Sequence, residues 1–199
     1  MKVICIVEGD GEVAALPILL RRIAQQYTPS VFPELPKPIR VRRDRFLRRD
    51  DEFRRHLLLA AGQCGQDGWI LVLLDADDDC PVDLSVEIVQ RARECVPHRA
   101  VSVVVASREY EAWLIAAAAS LHGYRGFECV PDDAVDPDRL RNAKGWIKAR
   151  MGGAGYGETT DLPAFTARMD VEQAYHRSRS FRKLCTEWCR RTSASTQPE

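Results

Sequence analysis

Three apolar runs interrupt an otherwise mixed chain: Val3-Ile4-Cys5-Ile6-Val7, Trp69-Ile70-Leu71-Val72-Leu73-Leu74 and Val101-Ser102-Val103-Val104-Val105-Ala106. They are too short for long helices and too continuous for half-exposed strands, so each reads as a strand buried on both faces. A shorter strand is expected over 39–43. Helical spacing recurs between the strands: over 14–27 with Leu16, Leu19, Leu20 and Ile23, over 51–64 with Phe53, Leu57, Leu58 and Ala61, then over 84–96 and 110–121. Pro17 is expected in the first turn of its helix, where a missing N–H is tolerated. Pro29, Pro33, Pro36 and Pro38 mark 28–38 as a loop. The alternation predicts an α/β fold with a mostly parallel sheet and helices on both faces. Beyond Pro137 the pattern is helical or irregular, with helices expected over 139–151, 163–175 and 181–191. The expected organisation is a domain over 1–125, a helical C-terminal extension over 126–191 packed on it, and a polar, frayed tail over 192–199.

Each buried strand runs into acids. Glu8, Asp10 and Glu12 follow the first; Asp75, Asp77, Asp78 and Asp79 follow the 69–74 run; Glu109 and Glu111 follow the last. In parallel sheets, ligands sit beyond the carboxyl ends of the strands. Hard divalent cations prefer carboxylate oxygens, and Mg²⁺ usually takes one or two of them plus water and substrate phosphate. Residues i and i+2 of an extended segment point to one side, so Asp75 and Asp77 are expected to converge on one ion. Glu12 would lie at the positive end of the 14–27 helix. Each acidic loop also has an ordinary reading: Asp77 to Asp79 is a polar turn before a helix, with Asp83 a candidate N-cap, and Glu111 on an alanine-rich helix suits a buried salt bridge. Two such loops at strand ends, in this order, favour a metal site holding Mg²⁺ or Mn²⁺.

Net charge is zero, so whole-molecule charge steers no partner and only its distribution can. Arg40, Arg42, Arg43, Arg45, Arg48, Arg49, Arg54 and Arg55 crowd into 40–55, and guanidinium suits bidentate phosphate contacts. Arg42, Arg43, Arg45, Arg48 and Arg49, with Lys144 and Lys148 at i,i+4 spacing, are the candidate nucleic-acid phosphate contacts. Arginine outnumbers lysine 24 to 5 along the whole chain, which equally fits a compositional bias and a solvated face. The seven cysteines are odd in number and lack paired CxxC spacing, which favours a reducing, cytoplasmic setting. Glu8 interrupts the first apolar run too early for a signal peptide, and no membrane span is expected. The Gly152-Gly153-Ala154-Gly155-Tyr156-Gly157 run lacks dinucleotide-binding spacing and reads as a flexible turn. His176, Cys185 and Cys189 lack a convincing fourth zinc ligand.

The Glu8-Gly9 turn after the first strand and Asp75-Ala76-Asp77 after the 69–74 strand resemble a Toprim domain, the catalytic unit of topoisomerases, primases and the nucleases of overcoming-lysogenization-defect type. Glu109-Tyr110-Glu111-Ala112-Trp113-Leu114 and Ser180-Phe181-Arg182-Lys183-Leu184 resemble an uncharacterised branch of Toprim-like proteins often encoded beside ATPases. The resemblance implies a Toprim/Rossmann-like fold, Glu8 as general acid or base and metal ligand, and Asp75 and Asp77 as magnesium ligands. The chain is too short for the tyrosine-bearing domain of a topoisomerase or the zinc and helicase modules of a primase. The expectation is a metal-dependent phosphodiesterase, a nuclease on DNA or RNA, with an ATPase as a candidate partner protein. Two alternatives stand: a non-catalytic Toprim-like regulatory or binding subunit, and a nucleotide-sugar transferase using a DxD motif.

Overall fold

In a computed structural model, which describes residues 1–129, 135–153 and 155–194, four parallel strands form one sheet in the order β2-β1-β3-β4. They are β1 (Val3–Val7), β2 (Ile39–Arg40), β3 (Trp69–Asp75) and β4 (Ala100–Ala106). Every residue of β1 and β3 is buried, as their unbroken apolar character requires. Alternation splits them between two cores. Val3, Cys5, Val7, Trp69, Leu71 and Leu73 face one helical layer, and Ile4, Ile6, Ile70, Val72 and Leu74 face the other.

The first layer contains α1 (Asp10–Tyr27), α5 (Glu111–Ala116), α6 (Ala118–Leu121), α7 (Ala143–Ala149), α8 (Asp161–Arg168), α9 (Val171–Arg177) and α10 (Arg179–Ala194). The second contains α2 (Arg43–Arg48), α3 (Asp50–Gln63) and α4 (Pro81–Cys95). The C-terminal helices therefore share a core with α1 and α5. Among the described residues no helix is long and apolar enough to cross a membrane.

The chain steps from β1 outward to β2, then returns to place β3 on the other side of β1. Strand order thus reverses between β1 and β3, where a crevice opens at the carboxyl ends. Ile6 pairs with Val72, so Glu8 and Asp75 emerge side by side despite their sequence separation.

Several boundaries differ from expectation for identifiable reasons. Helix α1 begins at Asp10, not Ala14, which puts Pro17 inside the helix rather than in its first turn. Burial of Ala15, Leu16, Leu19, Leu20 and Ile23 outweighs the lost hydrogen bond. The expected 39–43 strand ends at Arg40, and Arg43 opens the unanticipated α2. Cys80, not Asp83, is the N-cap of α4, with Pro81 in the first turn. The 110–121 helix is divided at Ala117, and the 163–175 helix at Met169, where Asp170 accepts the amides of Glu172 and Gln173 and starts α9. Helix α7 is shorter than 139–151 because Asn142, in the left-handed region, caps it through the Gly145 amide. Helix α10 continues through Thr192 to Ala194, so that part of the expected frayed tail is helical; 195–199 lie outside the described residues, as do 130–134 and Ala154.

Candidate active site

Glu8 follows β1 at the N-terminus of α1, whose N-cap is Gly9. Gly9 lets its neighbour pack closely: a Cβ there would stand 2.2 Å from a Glu12 carboxylate oxygen, so a larger residue would displace the Glu12 side chain. Glu12 is the third residue of α1, folds back over the helix start and faces the Gly9 and Glu12 amides, the N3 half of a capping box without an N-cap side chain. Gly11 admits a second close approach, because a Cβ would meet the Glu158 carbonyl at 2.9 Å and Leu162 Cδ2 at 2.8 Å. That contact seats the segment leading into α8 directly on the start of α1. It brings Glu158 and its partner Lys144 to the acidic crevice.

Asp75 closes β3, is 8% exposed, and accepts the Tyr110 amide at 2.9 Å. Burial, then the charges of Glu12, Glu111 and Glu8, push its carboxyl well above the ordinary range, against the opposing pull of Lys144. Burial also raises Glu8, helped by Asp77 and Glu12 and opposed by Arg43, and one Glu8 carboxylate oxygen, Oε2, is buried with no hydrogen-bond partner among the described residues. Glu12 is raised by burial too. Glu111, 1% exposed, is pushed up to about 7 by burial although Lys144 and the Tyr156 hydroxyl pull it down. Tyr156 donates to Glu111 Oε1 at 3.1 Å. Lys144 lies 3.2 Å from Glu158 and is a cation common to the group: burial alone would lower it, but Glu111, Glu158 and Asp75 outweigh that and raise it.

Asp77 does not join Asp75. The extended segment ends at Asp75, Asp77 adopts φ +50°, and its exposed side chain turns to Arg43 at 3.5 Å. The extended geometry on which the expected i,i+2 convergence rested is absent, because the backbone leaves the extended region between the two acids. Two subsets result: Asp75, Glu12 and Glu111 with Lys144, and Glu8 with Asp77 and Arg43, linked through the Glu8 interactions with Asp75 and Glu12.

Other expected participants are committed to the frame. Glu109 Oε2 accepts the Lys144 amide at 2.9 Å, which ties the start of α7 to the loop after β4. Arg43, largely buried, donates to the Asp75 and Ala76 carbonyls at 3.0 and 3.2 Å and to Asp79 at 2.5 Å, so it clamps the acidic loop and is not free for nucleic acid. Lys144 is likewise spent on carboxylates. Arg42, Arg45, Arg48 and Arg49 are exposed, and Lys148 lines a cavity of about 580 Å³ with Arg125, Tyr156, Gly157 and Asp161.

Sequence reasoning missed Tyr156 and Glu158. The signal available was two bulky polar residues around the last glycine of a glycine-rich run, which read as a turn alone. In the structure Asp161 accepts the Gly157 amide at 2.7 Å and pairs with Arg125 at 2.7 Å, which holds the turn so that Tyr156 reaches Glu111.

The donor set is all oxygen, as a hard cation requires, and the unpartnered Glu8 Oε2 fits an ion or proton donor supplied from outside. Among the described residues, however, no three His, Cys, Asp or Glu side chains are grouped so as to hold a metal ion unaided. Among the described residues no zinc group forms around His176, Cys185 and Cys189.

The chain belongs to the family described as a domain of unknown function, DUF4276, which matches residues 7–187. No curated protein and no solved structure matches it. The family match spans both helical layers and includes every carboxylate of the crevice.

Proposed function

We propose that this chain is a metal-dependent phosphodiesterase acting on nucleic acid, with its reaction centre at the carboxyl ends of β1 and β3. The observation that carries the reading is the gathering of four carboxyls, Glu8, Glu12, Asp75 and Glu111, all raised, at the point where strand order reverses. Burying acids against one another is unfavourable unless a cation or a proton relieves the repulsion. Asp75 with Glu8 or Glu12 would hold Mg²⁺ or Mn²⁺, since one or two carboxylates suffice when water and a substrate phosphate complete the shell. Such an ion would polarise the phosphoryl oxygen and lower the pKa of attacking water.

The chain's own groups supply the rest. Glu8, raised and short of a partner, is placed to accept a proton from the attacking water. Glu111, held by Tyr156, is pushed up to about 7 and is suited to returning a proton to the leaving oxygen. Lys144 limits the accumulated negative charge and keeps the carboxylates together before substrate arrives.

Incubation of the purified chain with labelled single-stranded and duplex DNA and RNA, with Mn²⁺ or with chelator, tests the reading. Metal-dependent cleavage that Asp75→Asn abolishes is expected; absence of cleavage on all four substrates would overturn it.

A second reading, a non-catalytic binding or regulatory unit that works beside an ATPase, is favoured by two observations: Lys144 already neutralises part of the cluster, and no three acids group around one ion position among the described residues. The nucleotide-sugar transferase reading loses its geometric basis with the divergence of Asp75 and Asp77.

A further inference from the structure

On the opposite side of the β1 end from Lys144, a recess of about 360 Å³ is lined by Arg40, Arg42, Arg45, Arg55, His56 and Glu52. Its apolar floor is Val41 and Phe46, both buried. The Val41 amide donates to the Val7 carbonyl at 2.8 Å, which fixes this floor to the strand that leads into Glu8. Arg40 extends the connection: its guanidinium donates to the Glu8 carbonyl at 3.2 Å and pairs with Asp10 at 3.2 Å.

The charges in the recess do not balance. Asp10 answers Arg40, and Glu52 answers Arg55 at 2.6 Å. His56 is anchored by a hydrogen bond between its Nδ1 and the Glu52 carbonyl at 2.7 Å and rests edge-on against Phe46. Arg42 and Arg45 have no carboxylate within ion-pair distance among the described residues, and they face the same concavity. Their neighbours differ in this respect: Arg43 is occupied by Asp77 and Asp79, and Arg91 by Asp50 and Glu87. Two uncompensated guanidiniums over an apolar floor, in a volume of nucleotide size, form a receptor for an oxyanion with an attached ring or sugar.

We propose that this recess is a phosphate subsite that takes one backbone phosphate of a nucleic-acid strand whose neighbouring phosphodiester lies at Glu8 and Asp75. Arg40, which lines the recess and donates to the Glu8 carbonyl, sets the recess beside the Glu8 turn. The inference rests on the phosphodiesterase reading for the identity of the polymer, and it narrows the phosphate-contacting set to Arg42 and Arg45, since Arg43, Lys144 and Arg55 are taken up by carboxylates.

The test measures binding of a labelled single-stranded oligothymidylate to the full chain in excess chelator, where no metal-dependent cleavage intervenes. The double substitution Arg42→Gln/Arg45→Gln is expected to weaken binding about tenfold at low salt and to reduce the salt slope by about 0.7, the value for one single-strand phosphate contact. Arg48→Gln/Arg49→Gln, outside the recess, is expected to weaken it less than about twofold. Equal losses in the two double variants would overturn the subsite in favour of diffuse charge. Inorganic pyrophosphate that competes as tightly as the oligonucleotide would overturn the assignment to a polymer and give the recess to free phosphate compounds. A separate Mn²⁺ cleavage assay separates the two readings. Binding with the expected pattern but no cleavage would sink the phosphodiesterase and keep the subsite, whereas cleavage with an unchanged KM in Arg42→Gln/Arg45→Gln would sink the subsite and keep the enzyme.

Discussion

Glu187 and Asp75 are both buried carboxylates, 7% and 8% exposed, in the same helical layer of the sheet, and their surroundings are opposite. Burial would raise Glu187, yet Lys183 at 2.6 Å, Arg190 at 2.5 Å and the Ser102 hydroxyl at 2.8 Å lower it to about 2. Its donors saturate it. Asp75 receives one backbone amide and faces three other acids, so burial prevails and its carboxyl is driven up. The first pattern ties α10 to β4 and serves architecture; the second leaves demand for a cation unmet at a strand-order reversal. Burial alone does not distinguish the two roles, but donor supply does.

The largest effect that would break this contrast is catalytic. Glu8→Gln keeps the shape of the side chain but cannot exchange the proton, so turnover should fall about 10²- to 10⁴-fold in a single-turnover cleavage assay, with binding of an uncleavable oligonucleotide retained. Turnover within a few fold of the parent would move the acid–base role to Glu111.

Next in size is the architectural acid. Glu187→Ala leaves the Ser102 hydroxyl proton without its acceptor, with only the Arg191 guanidinium still donating to that oxygen, and removes the partner of Lys183 and Arg190, so urea denaturation should show a loss of about 1–3 kcal/mol. The same denaturation on Asp75→Asn without metal should show no loss or a gain, because the substitution removes a charge that the fold holds unfavourably. Comparable losses in both variants would erase the distinction.

A close backbone approach gives the third prediction. Gly11→Ala places a methyl against Glu158 O and Leu162, so about 1–3 kcal/mol should be lost as α8 is pushed from α1. The midpoint of Glu111, read by carboxyl NMR, should shift with it as Lys144 and Tyr156 withdraw.

The fourth effect is in pH dependence, and the two acids give opposite signs. Glu187, depressed from 4.5 to about 2, contributes stability that is complete above 4.5 and is lost as pH falls toward 2. Glu111, raised from 4.5 to about 7, contributes stability that is complete below 4.5 and is lost as pH rises through 7. Metal-free protein should therefore be most stable near pH 4.5–5, and Glu111→Gln should flatten the decline between about 5 and 7. Thermal midpoints across this range, with and without the substitution, provide the check.

The sheet was readable because β1, β3 and most of β4 are buried on both faces, so continuous apolar runs located them, and the acids after them fell at its carboxyl edge. Glu8 and Asp75 were accessible for that reason. The turn at Asp77 was not legible, because i,i+2 spacing implies convergence only if the backbone stays extended, and a left-handed residue leaves little trace in an Asp-rich loop. Arg43 and Lys144 looked like solvent-facing cations because their partners, Asp79 and Glu158, are set by tertiary contact. The Tyr156–Glu111 bond joins residues on separate segments, and no local periodicity encodes it. Similarly, the break between α8 and α9 depends on the Asp170 cap, a local signal hidden within a continuous helical pattern.

The central claim is that the unmet charge at Asp75 is a cation site. Calorimetric titration of Mn²⁺ into the metal-free chain and into Asp75→Asn, both first shown to be folded, tests it most directly. The parent should bind Mn²⁺ and gain about 2.7 kcal/mol of stability at a metal concentration 100-fold above Kd, while Asp75→Asn should lose most of that affinity and the accompanying gain. Equal affinity in the two proteins, or no binding by the parent at millimolar Mn²⁺, would contradict the account.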